Sequence, residues 1–419
     1  MKMTQTLHQQ VDIPPRVVRR TLLPLGIGTA VSLLGDSTLY TVLPRPQIAS
    51  QVGVNLAMVG VLLGANRVAR MLSNPIAGTL YDRFPRRPLL IVSLLFGVVS
   101  TLIFATGSGF GILLLARILW GIAWSGLWIG GNTAILDLTS EANRGRLSGR
   151  YQMWFFLGVG ISAFLGGLFT DVFGFREGLW ISAGIMTLAL IMWLLMLPET
   201  QPGLGDTLPQ RAIEVSAPFA WRQVIPLAVP LFAARLSFAG VLASTSILWL
   251  TDFLSAGLPI ASFFLPIATV TGIFVSLRMI ASVIGAPLAG LLSDRVDQRW
   301  YIMAAALAFG AIGMWFMGSS TLVSALPAAL LAAAAGGAVQ SLTPAIAGDQ
   351  IHVSQRARVL GMIYTLGDIG SAVGPPLALA LVSTLRVSVI YRICAGLFLI
   401  VSTFTLLQTY LSAQTKNEV

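Results

Sequence analysis

The chain has 419 residues, 56% of them hydrophobic and only 10% charged, with a mean hydropathy of +0.83. Those values exclude an ordinary soluble domain and put the chain in a bilayer. The net charge of +10 invites a nucleic-acid partner, and only the placement of the charges decides against one.

Residues 1–20 form a basic, polar tail. Asp12 interrupts it, no small-residue cleavage site follows and the next apolar run is full length, so a retained first span is expected rather than a cleaved signal. Six apolar runs follow at 21–43, 55–81, 88–107, 110–136, 151–170 and 178–197, each near the ~20 residues that cross hydrocarbon. The segment 198–223, opening Pro198-Glu199-Thr200-Gln201-Pro202-Gly203, is polar and predicts a linker. Six further runs lie at 224–251, 266–293, 300–318, 321–348, 358–384 and 388–411, before a tail at 412–419. Long, continuous and without alternation, the runs predict helices rather than barrel strands. The expected fold is an all-α membrane protein of 12 transmembrane helices, divided into bundles over 21–197 and 224–411.

The two halves are copies. Gly78-Thr79-Leu80-Tyr81-Asp82-Arg83 and Gly290-Leu291-Leu292-Ser293-Asp294-Arg295 lie 212 positions apart. The same offset carries Pro75 to Pro287, Ala77 to Ala289, Asp137 to Asp349, Arg144 to Arg356, Arg146 to Arg358 and Gly149 to Gly361. An internal repeat of that size in so apolar a chain is the plan of many transporters.

Most of the 26 Lys and Arg fall in the tails or in and beside the loops after spans 2, 4, 6, 8 and 10. Only Arg45, Arg176, Arg386 and Arg392 lie in or beside the opposite loops. The asymmetry predicts cytoplasmic termini, and it assigns the basic excess to topology rather than to nucleic acid. Lys2 and Lys416 are the only lysines, Cys394 is the only cysteine, and His8 and His352 are the only histidines. No phosphate-loop lysine, internal disulfide or cysteine metal cluster is available. Neither enzyme chemistry nor a cofactor or metal is expected; the expected partners are the lipid bilayer, a small-molecule substrate and protons. The protein is expected to be a monomer in a bacterial inner membrane.

The stretch Gly78-Thr79-Leu80-Tyr81-Asp82-Arg83-Phe84-Pro85-Arg86-Arg87 resembles the signature of the loop between helices 2 and 3 in the major facilitator superfamily, with a degenerate copy over Gly290–Arg299. Pro85 departs from the family's usual Gly, and Asp297 and Gln298 replace the Gly and first Arg of the second copy. The resemblance covers essentially the whole chain and implies two six-helix bundles working by alternating access. It also implies a gating role for Asp82. On the same face, Asp137 ends the fourth span, and Arg86 and Arg87 lie between the two acids. Such opposed charges lock helix ends and release when the ends separate. The candidate gate is Gly78, Asp82, Arg83, Arg86, Asp137, Gly290 and Asp294, with a solvated topology anchor as the alternative. Arg144, Arg146, Asp349, Arg356 and Arg358 are expected to brace that surface, as is Asp294 if it does not gate.

Charges inside the spans carry sharper information. Arg67, Arg70, Arg117, Arg235, Arg278, Asp36 and Asp368 each cost roughly 2.5–3.5 kcal/mol at mid-helix, so each should face the interior and find a partner. At ~1.5 Å per residue, Asp36 stands ~24 Å above Arg20 and Arg117 ~20 Å above the same face. The two can meet. Arg117-Ile118-Leu119-Trp120-Gly121 resembles the helix 4 signature of proton-coupled exporters in the family. The Asp36–Arg117 pair is therefore the candidate proton site, with Asp368 next, against a permanent structural salt bridge. Arg67 and Arg278 lie at matching depths and are expected to face one another across a central cavity. There they would bind an anionic substrate or neutralise Asp36 and Asp368. Arg235 is a candidate partner for Asp368, and Arg70 has no assigned partner. Tyr40 and the stripe Trp120, Trp124 and Trp128, spaced every four residues, complete the candidate cavity wall, with plain helix packing as the alternative. In the fifth span, Ser162-Ala163 stands where the exporters carry Gly-Pro, and a Gly-Pro appears instead at Gly374-Pro375. The expected function is proton-coupled efflux of small lipophilic compounds. The alternatives are a flippase or permease for a glycolipid, sugar or organic anion, and a transporter-like ligand sensor.

Overall fold

The computed structural model describes residues 15–138, 144–200, 221–260, 263–293, 295–296, 299–319, 321–350 and 356–417. The first half consists of α1 (Pro15–Ser32), α2 (Leu34–Val42), α3 (Pro46–Gln51), α4 (Leu56–Arg83), α5 (Arg86–Thr106), α6 (Phe110–Asp137), α7 (Arg144–Phe173) and α8 (Phe175–Met196). The second consists of α9 (Trp221–Ala234), a π-helical segment Arg235–Leu242, α10 (Ala243–Leu254), β1 (Gly257–Ile260), β2 (Phe263–Pro266), α11 (Ile267–Ser293), α12 (Arg299–Met317), α13 (Leu322–Gln350), α14 (Arg356–Leu381) and α15 (Val387–Asn417). Among the described residues, 11 helical stretches are long and apolar enough to cross a membrane. The remaining long helix, α14, takes the twelfth place; Asp368 and the run Gly370–Pro376 make it less apolar.

Local chemistry sets several ends. Asn55 opens α4 by accepting from the Met58 N–H at 2.9 Å, the ordinary N-cap arrangement. Gly174, at φ 105°, turns the chain between α7 and α8 in a backbone region that side-chain-bearing residues avoid. The helices run past the predicted spans at several ends, notably at α7 and α15. The antiparallel hairpin β1–β2, pairing Gly257 with Pro266 and Ile260 with Phe263, was not expected. Its strands are four residues each and contain Pro259 and Pro266, too short and too interrupted for a sequence signal.

The bundles meet along α4 against α14 and α7 against α11, where glycine makes the approach possible. A Cβ on Gly60 would stand 2.7 Å from the Pro376 Cα, and one on Gly64 2.3 Å from the Ala372 carbonyl. The same atom on Gly167 would stand 2.2 Å from the Ala268 carbonyl, and on Gly272 2.4 Å from that of Ala163. These glycines lie in the halves of their helices away from Arg86 and Asp137, whose end of the molecule is the basic face. The core divides the same way. One hydrophobic cluster runs through the second bundle and continues only into the far half of the first, through Leu39, Leu62, Phe104 and Leu113. The half of the first bundle near the basic face has its own cluster around Trp120, Trp124 and Trp193. The bundles are thus joined toward the far face.

Candidate functional site

Asp36 owes its position to a break in the first span. The helix stops at Ser32 and restarts at Leu34, so the carboxylate sits in the first turn of α2, where the helix dipole favours negative charge. Arg117 Nη1 donates to Asp36 Oδ1 at 2.5 Å, and the two side chains are only 1% and 14% exposed respectively. Arg117 Nε also donates to the Leu62 carbonyl at 2.9 Å, and its guanidinium lies 5.7 Å from the Tyr40 ring. Tyr40 is itself fixed by donating to the Leu63 carbonyl at 2.6 Å. Beside the pair is a cavity of ≈ 10 Å³ lined by Asp36, Arg117, Ser100, Thr101 and Trp120, about the space of one water. The pair thus sets a buried carboxylate and a cation beside room for a single water.

A second charged group lies where the bundles meet. Arg235, the first residue of the π segment, pairs with Asp368 of α14 and lies 5.6 Å from the Tyr364 ring. Arg70 of α4 approaches the same carboxylate from the other bundle, at 3.9 Å. Arg67, one turn earlier, stands beside Tyr40 and within Coulombic reach of both Asp36 and Asp368. Along the π segment the backbone comes close to α14: a Cβ on Gly374 would be 2.5 Å from the Gly240 Cα and 2.8 Å from the Leu236 carbonyl oxygen. Such segments mark functional sites in many helices.

Arg278 corrects an expectation. Its partners are Ser246 Oγ at 3.3 Å, the Phe238 carbonyl at 3.4 Å and the Phe274 ring at 5.6 Å. It is buried inside the second bundle and does not face Arg67. Matching depth along two helices says nothing about the direction round each axis. The tryptophans share a face as expected, but that face is core. Trp120 and Trp124 are buried in the first-bundle cluster, and Trp124 and Trp128 stack at 5.7 Å and meet Phe155 at 5.7 and 5.0 Å. Only Trp120 borders the cavity beside Asp36. Trp124→Ala is therefore expected to destabilise the protein by about 3–5 kcal/mol and leave ligand affinity unchanged. Thermal unfolding with and without ligand checks both parts.

At the basic face Arg86 is the hub. Its Nε donates to Asp137 Oδ2 at 3.1 Å, and its guanidinium also donates to the Tyr81 carbonyl. Glu199 accepts from the Arg86 and Arg87 backbone N–H groups at 2.9 and 3.1 Å, placing a carboxylate on the N-terminus of α5. Thr200 Oγ1 donates to Asp137 at 3.3 Å. All these partners belong to the first bundle, so the network ties the ends of α4, α5 and α6 to the chain leaving α8. Arg83 is exposed, and an added Cβ on Gly78 or Gly290 would meet nothing within 4 Å. The side chains of Asp82, Asp294, Asp349, Arg144, Arg146, Arg356 and Arg358 lie outside the described residues. Burial raises the Asp137 carboxyl above its ordinary value, against the lowering by Arg86. A carboxyl raised in the folded state binds its proton more tightly there than in the unfolded chain. Its contribution to stability is therefore present at low pH and lost as pH rises through the folded value. Asp137→Asn should flatten that part of the pH profile of thermal unfolding.

A family model described as Major Facilitator Superfamily matches residues 25–276 and 254–418. The chain belongs to the Major Facilitator Superfamily. The superfamily relatives it matches include "Multidrug resistance protein 1" of Bacillus subtilis, 28% identical over 43% of this chain and 46% of that protein. "Tetracycline resistance protein, class C" of Escherichia coli is 29% identical over 48% of each chain. Quinolone resistance protein NorA of Staphylococcus aureus is 28% identical over 41% of this chain and 42% of its own. The chain thus spans about half the length of these curated relatives in each match. Among solved structures, a bacterial homologue of the human lysosomal transporter Spinster, inward-facing and occupied, superposes with a TM-score of 0.73 at 17% identity over 93% of this chain and 96% of that one. The human organic anion transporter TETRAN superposes with a TM-score of 0.63 at 19% identity over 94% of this chain and 100% of its own. These likenesses concern the superfamily fold.

Three features of this superfamily member escaped the sequence reading. Glu199 stands in a polar stretch that reads as linker, and nothing local marks it as the cap of a helix 113 residues earlier. Asp171, near the end of α7, accepts from the Thr269 N–H at 2.6 Å and hydroxyl at 2.7 Å, joining the bundles at the far face. The π segment leaves no mark in hydropathy, and the approach of Gly240 to Gly374 that accompanies it is visible only in the structure.

Proposed function

We propose that this superfamily member exports small lipophilic compounds in exchange for protons, by alternating access, from an inner membrane in which the basic face is cytoplasmic. The buried Asp36–Arg117 pair, with its cavity for one water, carries this reading. A carboxylate held by one cation and reached by one water exchanges its proton when the distance to that cation changes. Three curated relatives are named as multidrug, tetracycline and quinolone resistance proteins, which supports export of small compounds. One proton falling through ~100 mV supplies ~2.3 kcal/mol, enough for about a fifty-fold gradient of a neutral solute. The basic face would be the gate, with Asp82 as its lock and the Arg86–Asp137–Glu199 network keeping the helix ends of the first bundle together as the bundles rock.

The test is flux in proteoliposomes carrying an imposed pH gradient, with fluorescent lipophilic dyes of positive, zero and negative charge. Gradient-dependent accumulation of at least one dye, abolished by an uncoupler, is the expected result. Binding without flux across the whole panel would leave a ligand sensor instead. The organic-anion alternative has a specific observation behind it, the excess of arginine between the bundles, and TETRAN is named for such cargo. The two readings converge if the exported compound is itself an anion.

A further inference from the structure

Taking the chain as an exporter of lipophilic compounds, we infer that its cargo carries a negative charge, and that a carboxylate or similar monoanionic group docks between Arg67 and Arg70 of α4 and Arg235 of the π segment. The charge balance at mid-depth leads to this assignment. Asp36 is matched by Arg117. Asp368 faces Arg235 and Arg70, and Arg67 lies within reach of both carboxylates, so Arg117, Arg67, Arg70 and Arg235 together outnumber Asp36 and Asp368 by two guanidinium groups among the described residues. Water and lipid tails supply no counter-charge at this depth, and a low-dielectric site of one sign concentrates ions of the other.

The donors are also unspent. The Nε atoms of Arg67 and Arg70 are buried and have no hydrogen-bond partner, a costly arrangement for groups built to donate in pairs. The Arg70 side chain keeps 11% of its exposure and that of Arg235 keeps 19%, so both can touch an incoming group. A carboxylate accepts two parallel N–H bonds from one guanidinium. Placed here it would bind both bundles at once, since Arg67 and Arg70 belong to the first and Arg235 to the second. Tyr40 beside Arg67 and Tyr364 beneath Arg235 would flank it with rings. A cationic compound would meet three guanidinium groups and one carboxylate, and should be rejected.

The probe is 11-(dansylamino)undecanoic acid, compared with its methyl ester and the corresponding terminal amine, binding to the detergent-purified protein at neutral pH and read by dansyl fluorescence. The acid should bind about tenfold or more tightly than either analogue. Unlabelled undecanoate should displace it, and chloride at the same concentration should not. Arg67→Gln, Arg70→Gln and Arg235→Gln should each weaken the acid about tenfold while leaving the ester unchanged, and Arg70→Lys should recover part of the loss. Equal binding of acid, ester and amine to the wild-type protein overturns the inference without reference to any variant. Displacement by chloride as complete as by undecanoate overturns it too, because the site would then hold an inorganic ion. The export reading fails separately. Acid binding with no gradient-driven flux of any dye sinks export and keeps the site, whereas gradient-driven flux of cationic dyes with no preference for the acid keeps export and sinks the site.

Discussion

Asp36→Asn is expected to collapse pH-driven accumulation from about fifty-fold to none, while exchange of cargo across a membrane without a gradient continues. The amide has nearly the shape of the carboxylate, and its oxygen still accepts from Arg117, so the cavity keeps its form. What it loses is the ability to take up and release a proton. Arg117 is then a buried cation without a counter-charge, held by the neutral amide oxygen, the Leu62 carbonyl and the Tyr40 ring. Breaking such a pair costs about 3–5 kcal/mol of stability, so the thermal midpoint should fall as well. Asp36→Glu separates the two effects: it restores a titratable group and should recover part of the coupling. Full pH-driven accumulation by Asp36→Asn would place the proton site elsewhere, and Asp368, beside Arg235 and Arg70, would be the next group to test.

The parts of this fold that follow from one-dimensional chemistry were legible. Runs of apolar residues must cross hydrocarbon as helices, so the spans and the repeat could be read directly. Depth could be read too, because a helix rises by a constant ~1.5 Å per residue; that alone puts Asp36 and Arg117 at one level, and the structure has them bonded. Direction round the axis was not legible in helices apolar on every side. Arg278 and the tryptophans of α6 turn inward to their own bundles for that reason, although the tryptophans share a face as their spacing requires. The pairing of Arg235 with Asp368, expected from the sequence, is present, although the π segment that Arg235 opens shifts the side-chain register within the helix. Residues acting across long sequence gaps, such as Glu199 on α5 and Asp171 on Thr269, carry no local signature at all.

Gly167→Leu is expected to reduce transport at least about tenfold and to hold the far face open. The glycine faces α11 backbone: its Cβ would lie 2.2 Å from the Ala268 carbonyl oxygen, 2.7 Å from that carbonyl carbon and 3.1 Å from the Thr269 Cα. None of these atoms can swing aside as a side-chain tip would, so α7 and α11 must separate. One turn along α7, Asp171 holds the Thr269 N–H and hydroxyl at 2.6 and 2.7 Å, and separation breaks both bonds. Overpacking of this kind costs about 1–3 kcal/mol, and the cost falls only on the conformation in which the bundles touch here. At its upper end it shifts the population of two conformers by about a hundredfold. Spin labels at Gln51 and Ser383, both exposed, in a Cys394→Ser background, should report a longer distance across the far face. Gly184→Leu is the control, because a Cβ there meets nothing within 4 Å. An unchanged distance with normal transport in Gly167→Leu would mean that α7 and α11 do not form the closing seam, and that the far face closes by another pair of helices.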